Sequence, residues 1–228
     1  MRTTNNRRNV GVFLMVALAT LPAVAGAQGA GAPTVRPRHH WTITPYVGIS
    51  RHSPVGHRWG LTPDRHHVLV GVHAMFPLMR GRRWTFAYAP EAIPLVVVSN
   101  NPNYRYVRNV ATGELETVED GHSNVTGIGI APLAVELQFD ASRPVGLYAE
   151  GTMGGLWFTR NIPDVDARSF NFTFDFGGGV RLRMNDRTWL RVGYKFHHLS
   201  NAKTAPSNPG VDAKVFLLGV ERSFGGSL

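Results

Sequence analysis

Between Phe170 and Met184 the chain alternates with period two. Phe170, Phe172, Phe174, Phe176, Val180, Leu182 and Met184 share one parity, while Asn171, Thr173, Asp175, Gly177, Arg181 and Arg183 share the other. An extended strand sends successive side chains to opposite faces, so this stretch predicts a strand with one apolar and one polar side. Beyond residue 27 no run approaches the roughly 20 apolar residues of a membrane-spanning helix. If the chain crosses a membrane it must therefore do so as a closed barrel, because hydrocarbon offers no partner to a free backbone N–H or C=O.

Seven further segments have strand character, at 41–52, 66–77, 83–98, 123–139, 144–158, 187–200 and 211–224; with 169–184 they make an even set of eight. Their connections alternate. They are long after the first, third, fifth and seventh segments and short at Pro77 to Arg82, Asp140 to Arg143 and Asn185 to Asp186. Long external loops with tight periplasmic turns are the pattern of outer-membrane barrels. The polar parity carries Glu136, Glu150, Asp175 and Glu221 against Arg181, Arg183, Arg191 and Lys195. Eight strands enclose only enough room for side chains, so these groups predict a paired, plugged interior and not a channel. A soluble sandwich would bury the apolar parity against a second sheet, an arrangement that neither the alternating loops nor the balanced opposite face favours. The expected class is all-β: an eight-stranded antiparallel transmembrane β-barrel whose last strand ends at Phe224, before a Gly225 to Leu228 tail. Two segments depart from clean alternation. The fourth changes parity near Ala131-Pro132, which predicts a bulge, and the third, with Pro90, Glu91 and Pro94, has no clear parity.

Arg2, Arg7 and Arg8 precede an apolar stretch from Val10 to Ala25 and an Ala25-Gly26-Ala27 site, which predicts a secretory signal peptide over 1–27. A Gly/Pro linker over 28–40 would lead into the barrel at 41–228. The mature chain of about 200 residues suits one domain. It holds no cysteine, so neither disulfides nor thiolate metal sites are available. The net charge of +9 becomes +6 without those three arginines. For an exported protein this favours anionic lipid headgroups over nucleic acid as partner.

The chemistry sits in Tyr194-Lys195-Phe196-His197-His198-Leu199-Ser200-Asn201-Ala202, which continues through Asn208-Pro209-Gly210-Val211-Asp212. His198 and Ser200 share a strand face with Tyr194 and Phe196. A loop over 201–210 reverses the chain, and the period-two pattern of the final segment gives Asp212 the parity of Phe216, Leu218, Val220 and Phe224. Histidine, serine and carboxylate, the three groups of a serine hydrolase, thus converge on the apolar outer side at the cell-surface rim. His197 has the opposite parity and reads as an interior polar residue. The remaining histidines, His39-His40 and His66-His67 among them, lack ligand spacing. Arg51, His52, His57, Arg58, Arg65, His66 and His67 read as a solvated first loop that could also attract lipid phosphates.

His198-Leu199-Ser200-Asn201-Ala202, followed twelve residues after the serine by an acid, resembles the signature of the PagL family of outer-membrane lipid A 3-O-deacylases. That family carries His-x-Ser-Asn-Ala at the end of its seventh strand and a glutamate in the eighth. Here the acid is Asp212, one methylene shorter. The resemblance implies an outer-membrane esterase that removes the 3-hydroxyacyl chain at position 3 of lipid A in the outer leaflet. Ser200 would be the nucleophile, His198 the base, Asp212 the orienting acid, and Asn201 with the backbone amides after it the oxyanion site. It calls for no metal or cofactor, names lipopolysaccharide as partner in a Gram-negative-type outer membrane, and leaves a homodimer open. Two other classes share parts of the pattern. A non-enzymatic small barrel of the adhesion or membrane-integrity kind would not need the three groups on one face, and a calcium-dependent outer-membrane phospholipase would be longer, with twelve strands.

Overall fold

The computed structural model describes residues 41–51, 59–139 and 143–225, so the predicted signal peptide and linker, with His39, His40, His52, His57 and Arg58, lie outside the described residues. Nine strand segments follow in order: β1 (Trp41–Ser50), β2 (His66–Arg80), β3 (Trp84–Tyr88), β4 (Glu91–Arg108), β5 (Leu115–Phe139), β6 (Val145–Ile162), β7 (Arg168–Arg183), β8 (Thr188–Ser200) and β9 (Val211–Phe224). All pairings are antiparallel, and β1 pairs with both β2 and β9, so the sheet closes on itself. β3 and β4 both pair with β2 on one side and β5 on the other, which makes them two lengths of one stave in an eight-stave ring.

The break at Ala89-Pro90 arises because proline has no N–H to give the ladder. Ala89 N–H still donates to Ala134 O at 3.0 Å and Ala74 N–H to Pro90 O at 3.0 Å, so the stave stays joined. This break is why the third segment shows no parity in the sequence, and it turns Glu91 inward. The register between β5 and β6 shifts between Ile130 and Leu133, where the bulge is expected.

The strand ends joined by the short connections, β2 to β3, β5 to β6 and β7 to β8, lie at one end of the ring, and those of β1 to β2, β4 to β5, β6 to β7 and β8 to β9 lie at the other. One expected loop is largely strand. β4 runs on to Arg108 and β5 begins at Leu115, and their outer lengths pair from Tyr104↔Glu119 to Arg108↔Leu115. Most of this ribbon's side chains are exposed on both faces, so no amphipathic alternation marks it in the sequence.

The barrel is apolar outside and charged inside. Phe216 is 63 %, Ile128 60 % and Leu147 55 % exposed, whereas Lys195 is 1 % and Glu136 and Glu221 are 0 % exposed. That inversion fits a chain whose outer solvent is lipid. Aromatic rings flank the apolar band. Trp41, Phe76, Tyr88 and Phe224 stack at the short-turn end, and Trp59, Phe170, Phe174 and Trp157 gather at the loop end.

Inside, Arg191 bonds Glu136 Oε2 at 2.8 Å and Glu221 Oε2 at 3.3 Å, and Arg181 Nε donates to Glu221 Oε2 at 3.0 Å. Lys195 Nζ reaches Asp175 at 3.0 Å and Glu91 at 3.2 Å, and Tyr46 O–H donates to Glu91. Toward the loop end the interior turns apolar, with Leu69, Val98, Val125, Leu156, Leu199 and Val211 packed together. The plugged interior is therefore as the sequence predicts, with two changes. Glu91 joins the network, and Arg183 does not: it lies at the short-turn rim, exposed, on Asp186 at 3.1 Å. Arg183 is near the strand end, where parity no longer implies enclosure.

Removing one partner from a buried ion pair leaves an uncompensated charge and costs about 3–5 kcal/mol. Glu221→Leu should lower the unfolding free energy in detergent by that order, read from urea titration of the heat-modifiable gel shift, and Arg183→Leu should leave it nearly unchanged.

Candidate active site

β8 ends with its inward parity, Lys195, His197 and Leu199, fully packed, and its outward parity, Tyr194, Phe196, His198 and Ser200, facing away from the barrel axis. The β8–β9 ladder places His198 directly opposite Asp212. Directly opposed residues on one face of an antiparallel pair hold their Cβ atoms about 5 Å apart, a gap an aspartate can span. His198 Nδ1 and Asp212 Oδ1 are 2.6 Å apart. With Nδ1 held by the carboxylate, Nε2 is the nitrogen left to exchange a proton with a nucleophile.

Asp212 is fully buried although its parity faces outward, while the His198 side chain is 16 % exposed. The cover comes from the β1–β2 connection. Gly60 N–H donates to Asp212 Oδ2 at 3.0 Å, and the Trp59 ring stands edge-on to His198 with centroids 6.0 Å apart. The same indole meets Phe174 at 5.7 Å and Phe196 at 5.8 Å, so an aromatic wall on β7 and β8 adjoins the histidine.

Ser200 lies two residues beyond His198 on the same face. Its Oγ faces the Asn208 carboxamide, with Oδ1 at 3.1 Å and Nδ2 at 3.0 Å, and accepts from Ala202 N–H at 3.1 Å. Ala202 and Lys203 both have positive φ, 53° and 61°, a conformation that costs a non-glycine residue about 1 kcal/mol or more. The strained turn aims the Ala202 N–H back at Ser200. Asn201 is buried; its side-chain N–H₂ donates to Ser207 O at 2.7 Å and its backbone N–H to Asn208 Oδ1 at 3.0 Å. Its side chain therefore braces the loop instead of pointing at Ser200. The loop is braced further by Arg168 Nε on Thr204 O and Ser207 Oγ on Asp164, both at 2.6 Å.

His197 is fully buried with Nδ1 2.6 Å from Asp175 Oδ1, the interior polar residue its parity predicts. His67 and Arg65 correct the reading of the first loop as solvated. His67 is fully enclosed, its ring 5.9 Å from that of His197, and Arg65 is buried with its guanidinium on Pro63 O at 3.2 Å. Both lie where β2 enters the ring, so barrel closure buries them. The sequence could point to Asn208, which falls within the motif's own stretch. Trp59 and Gly60 carry no sequence signal, because their place depends on how the β1–β2 connection folds over β9.

Residues 95–221 match a family model described as Lipid A 3-O-deacylase (PagL). The fold is similar to a crystal structure of the outer membrane enzyme PagL, at 13 % identity and a TM-score of 0.54, over 77 % of this chain and 97 % of that one. It is also similar to Neisserial surface protein A, at 14 % identity and a TM-score of 0.49 over 81 % and 97 % of the two chains. A third similar structure is the attachment invasion locus protein of Yersinia pestis, at 10 % identity and 0.45 over 82 % and 99 %. No curated protein sequence matches.

Each of the two adjacent histidines holds a buried carboxylate at 2.6 Å, so each removal should register in stability. His197→Ala deletes a buried hydrogen bond to a charged group and should cost about 1.5–3 kcal/mol of stability. His198→Ala frees Asp212 Oδ1 while Oδ2 keeps the Gly60 N–H, and should lower the thermal midpoint of the gel-mobility change by no more than that, with the barrel still folded.

Proposed function

The chain belongs to the lipid A 3-O-deacylase (PagL) family, and on that premise we propose that Ser200, His198 and Asp212 are the nucleophile, general base and orienting acid of its reaction. The protein is an outer-membrane lipid A deacylase, an ester hydrolase whose substrate is the lipopolysaccharide of that membrane. The observation that carries the residue assignment is the 2.6 Å His198–Asp212 contact on the outward face, with Ser200 two residues further toward the rim.

In this reading Ser200 Oγ attacks the carbonyl carbon of the 3-hydroxyacyl ester at position 3 of lipid A while His198 Nε2 takes its proton. Asp212 fixes the Nδ1–H tautomer and stabilises the imidazolium that forms. The oxyanion of the tetrahedral intermediate is met by donors next to Ser200: Ala202 N–H and the Asn208 side-chain N–H₂, both now within 3.1 Å of its Oγ. Asn201 serves this oxyanion site by holding the loop that presents them. His198 then returns the proton to the departing sugar oxygen. Water, activated by the same imidazole, cleaves the acyl-enzyme to release a 3-hydroxy fatty acid. The outward parity suits this substrate, since the ester lies in the outer leaflet beside the barrel and not inside it. One chain supplies all three groups, so a homodimer is not needed for the chemistry, and neither a metal nor a cofactor enters it.

Release of 3-hydroxy fatty acid from purified lipopolysaccharide, followed by mass spectrometry of the residual lipid A, tests the assignment. Ser200→Ala and His198→Ala should each abolish release while the barrel keeps its heat-modifiable mobility; His197→Ala should retain most activity per folded molecule. Loss of the orienting acid in a serine triad reduces turnover by up to about ten-thousandfold. Asp212→Asn should therefore impair release strongly, though less than Ser200→Ala. Undiminished release by Asp212→Asn would make the site a dyad, and release by Ser200→Ala would remove the assignment altogether.

A further inference from the structure

Residues 59–62 of the β1–β2 connection are held against the start of β9 by two backbone bonds, Leu61 N–H to Pro209 O at 2.8 Å and Thr62 N–H to Gly210 O at 3.2 Å. The approach is closer than any side chain would allow. A Cβ on Gly60 would lie 2.6 Å from Asp212 Cγ and 2.7 Å from Asp212 N, and one on Gly210, whose φ is +66°, would lie 2.8 Å from Trp59 O. Backbone atoms on both sides leave little room to yield. Two glycines thus permit one contact: Gly60 N–H on Asp212 Oδ2, the carboxylate oxygen that His198 does not use.

We infer that Trp59-Gly60-Leu61-Thr62 is a positioning strap for Asp212, in which the Gly60 amide fixes the carboxylate and the Trp59 ring holds the plane of the His198 imidazole. The inference rests on the assignment of Ser200, His198 and Asp212 made above. The physical need is clear from the parity of Asp212. On the outer face of the barrel a carboxylate would meet lipid and headgroups, where it could rotate about its side-chain bonds and share its charge with water or cations. Burying it without partners would be costly. The strap closes it off and satisfies the second oxygen, so the carboxylate keeps one rotamer and directs Oδ1 at Nδ1. Trp59 meanwhile touches Phe174, Phe176 and Phe196, which anchors the strap to the wall beside the site. In this reading none of these groups bonds to the reacting ester. The strap acts on the reaction only through Asp212 and His198.

A misplacement of about 1 Å far from the reacting atoms can cost on the order of a hundredfold in rate. The full-length chain in detergent, with purified lipopolysaccharide and fatty-acid release as readout, provides the test. Gly60→Ala should lower kcat by at least about tenfold, with KM within about twofold and gel mobility unchanged. In an Asp212→Asn background the same substitution should cost less than about twofold, because the carboxylate it serves is gone; such non-additivity marks direct coupling. Trp59→Ala should act through kcat likewise and Trp59→Phe should restore most of the loss, which keeps the inference testable should Gly60→Ala fail to fold. Full kcat in Gly60→Ala, or equal losses in both backgrounds, overturns the strap while the catalytic assignment stands. Activity in Ser200→Ala, or full activity in Asp212→Asn, overturns both.

Discussion

A sheet in hydrocarbon cannot have an edge, and the β1–β9 ladder that removes it is the constraint from which the rest of this molecule follows. Once the ring is closed, each strand has only an inside and an outside. The outside must be apolar over the height of the bilayer, so every charge on a strand at that depth must point inward and find a partner in a space barely wide enough for side chains. The Arg191–Glu136–Glu221–Arg181 and Lys195–Glu91–Asp175–His197 groups are the outcome. Buried ion pairs are poor evidence of added stability, because desolvation offsets most of the attraction. Their value here is that they make the charged parity compatible with one register only. A slip by one residue would expose them all to lipid.

The same alternation decides where chemistry can occur. Among the described residues, the loop-end interior is packed with Leu69, Val98, Leu199, Val211 and their neighbours, which fill the barrel between its charged middle and the rim. Polar groups that act on a lipid must therefore have outward parity and must lie above the apolar band. His198 and Ser200, the last two outward residues of β8, meet both conditions. His197, one residue away, meets neither, which is why two adjacent histidines have opposite surroundings.

Much of this is legible in the sequence because a strand's side-chain period is a local property. The eight staves, the inward set from Glu136 to Lys195, the bulge near Pro132 and the outward parity of His198, Ser200 and Asp212 all follow from counting. What is not legible depends on contacts between distant segments or on surfaces without contrast. The outer β4–β5 ribbon has no buried face to impose alternation. Glu91 is hidden by the Ala89-Pro90 break. Arg65 and His67 look like loop residues until the first strands close over them. Of the site, the motif shows the three polar groups but not the Trp59-Gly60 cover, since that is made by chain some 150 residues before Asp212.

The aspartate at 212, where the PagL pattern has a glutamate, raises the question of how a shorter side chain reaches the imidazole. The ladder answers half of it. His198 and Asp212 face each other directly, so the separation is set by the sheet and not by the loop, and the contact closes at 2.6 Å. The other half concerns the space a longer side chain would occupy. Above Asp212 that space is taken by Gly60, whose amide stands 3.0 Å from Oδ2 and whose missing side chain is what lets the backbone descend so far. Aspartate has one fewer rotatable bond than glutamate and a smaller rotamer entropy to lose, so a carboxylate tied at both oxygens costs less to order. A short acid and a close backbone are therefore complementary: each leaves the volume that the other requires, and together they hold Oδ1 on His198 in a position that would otherwise face the lipid.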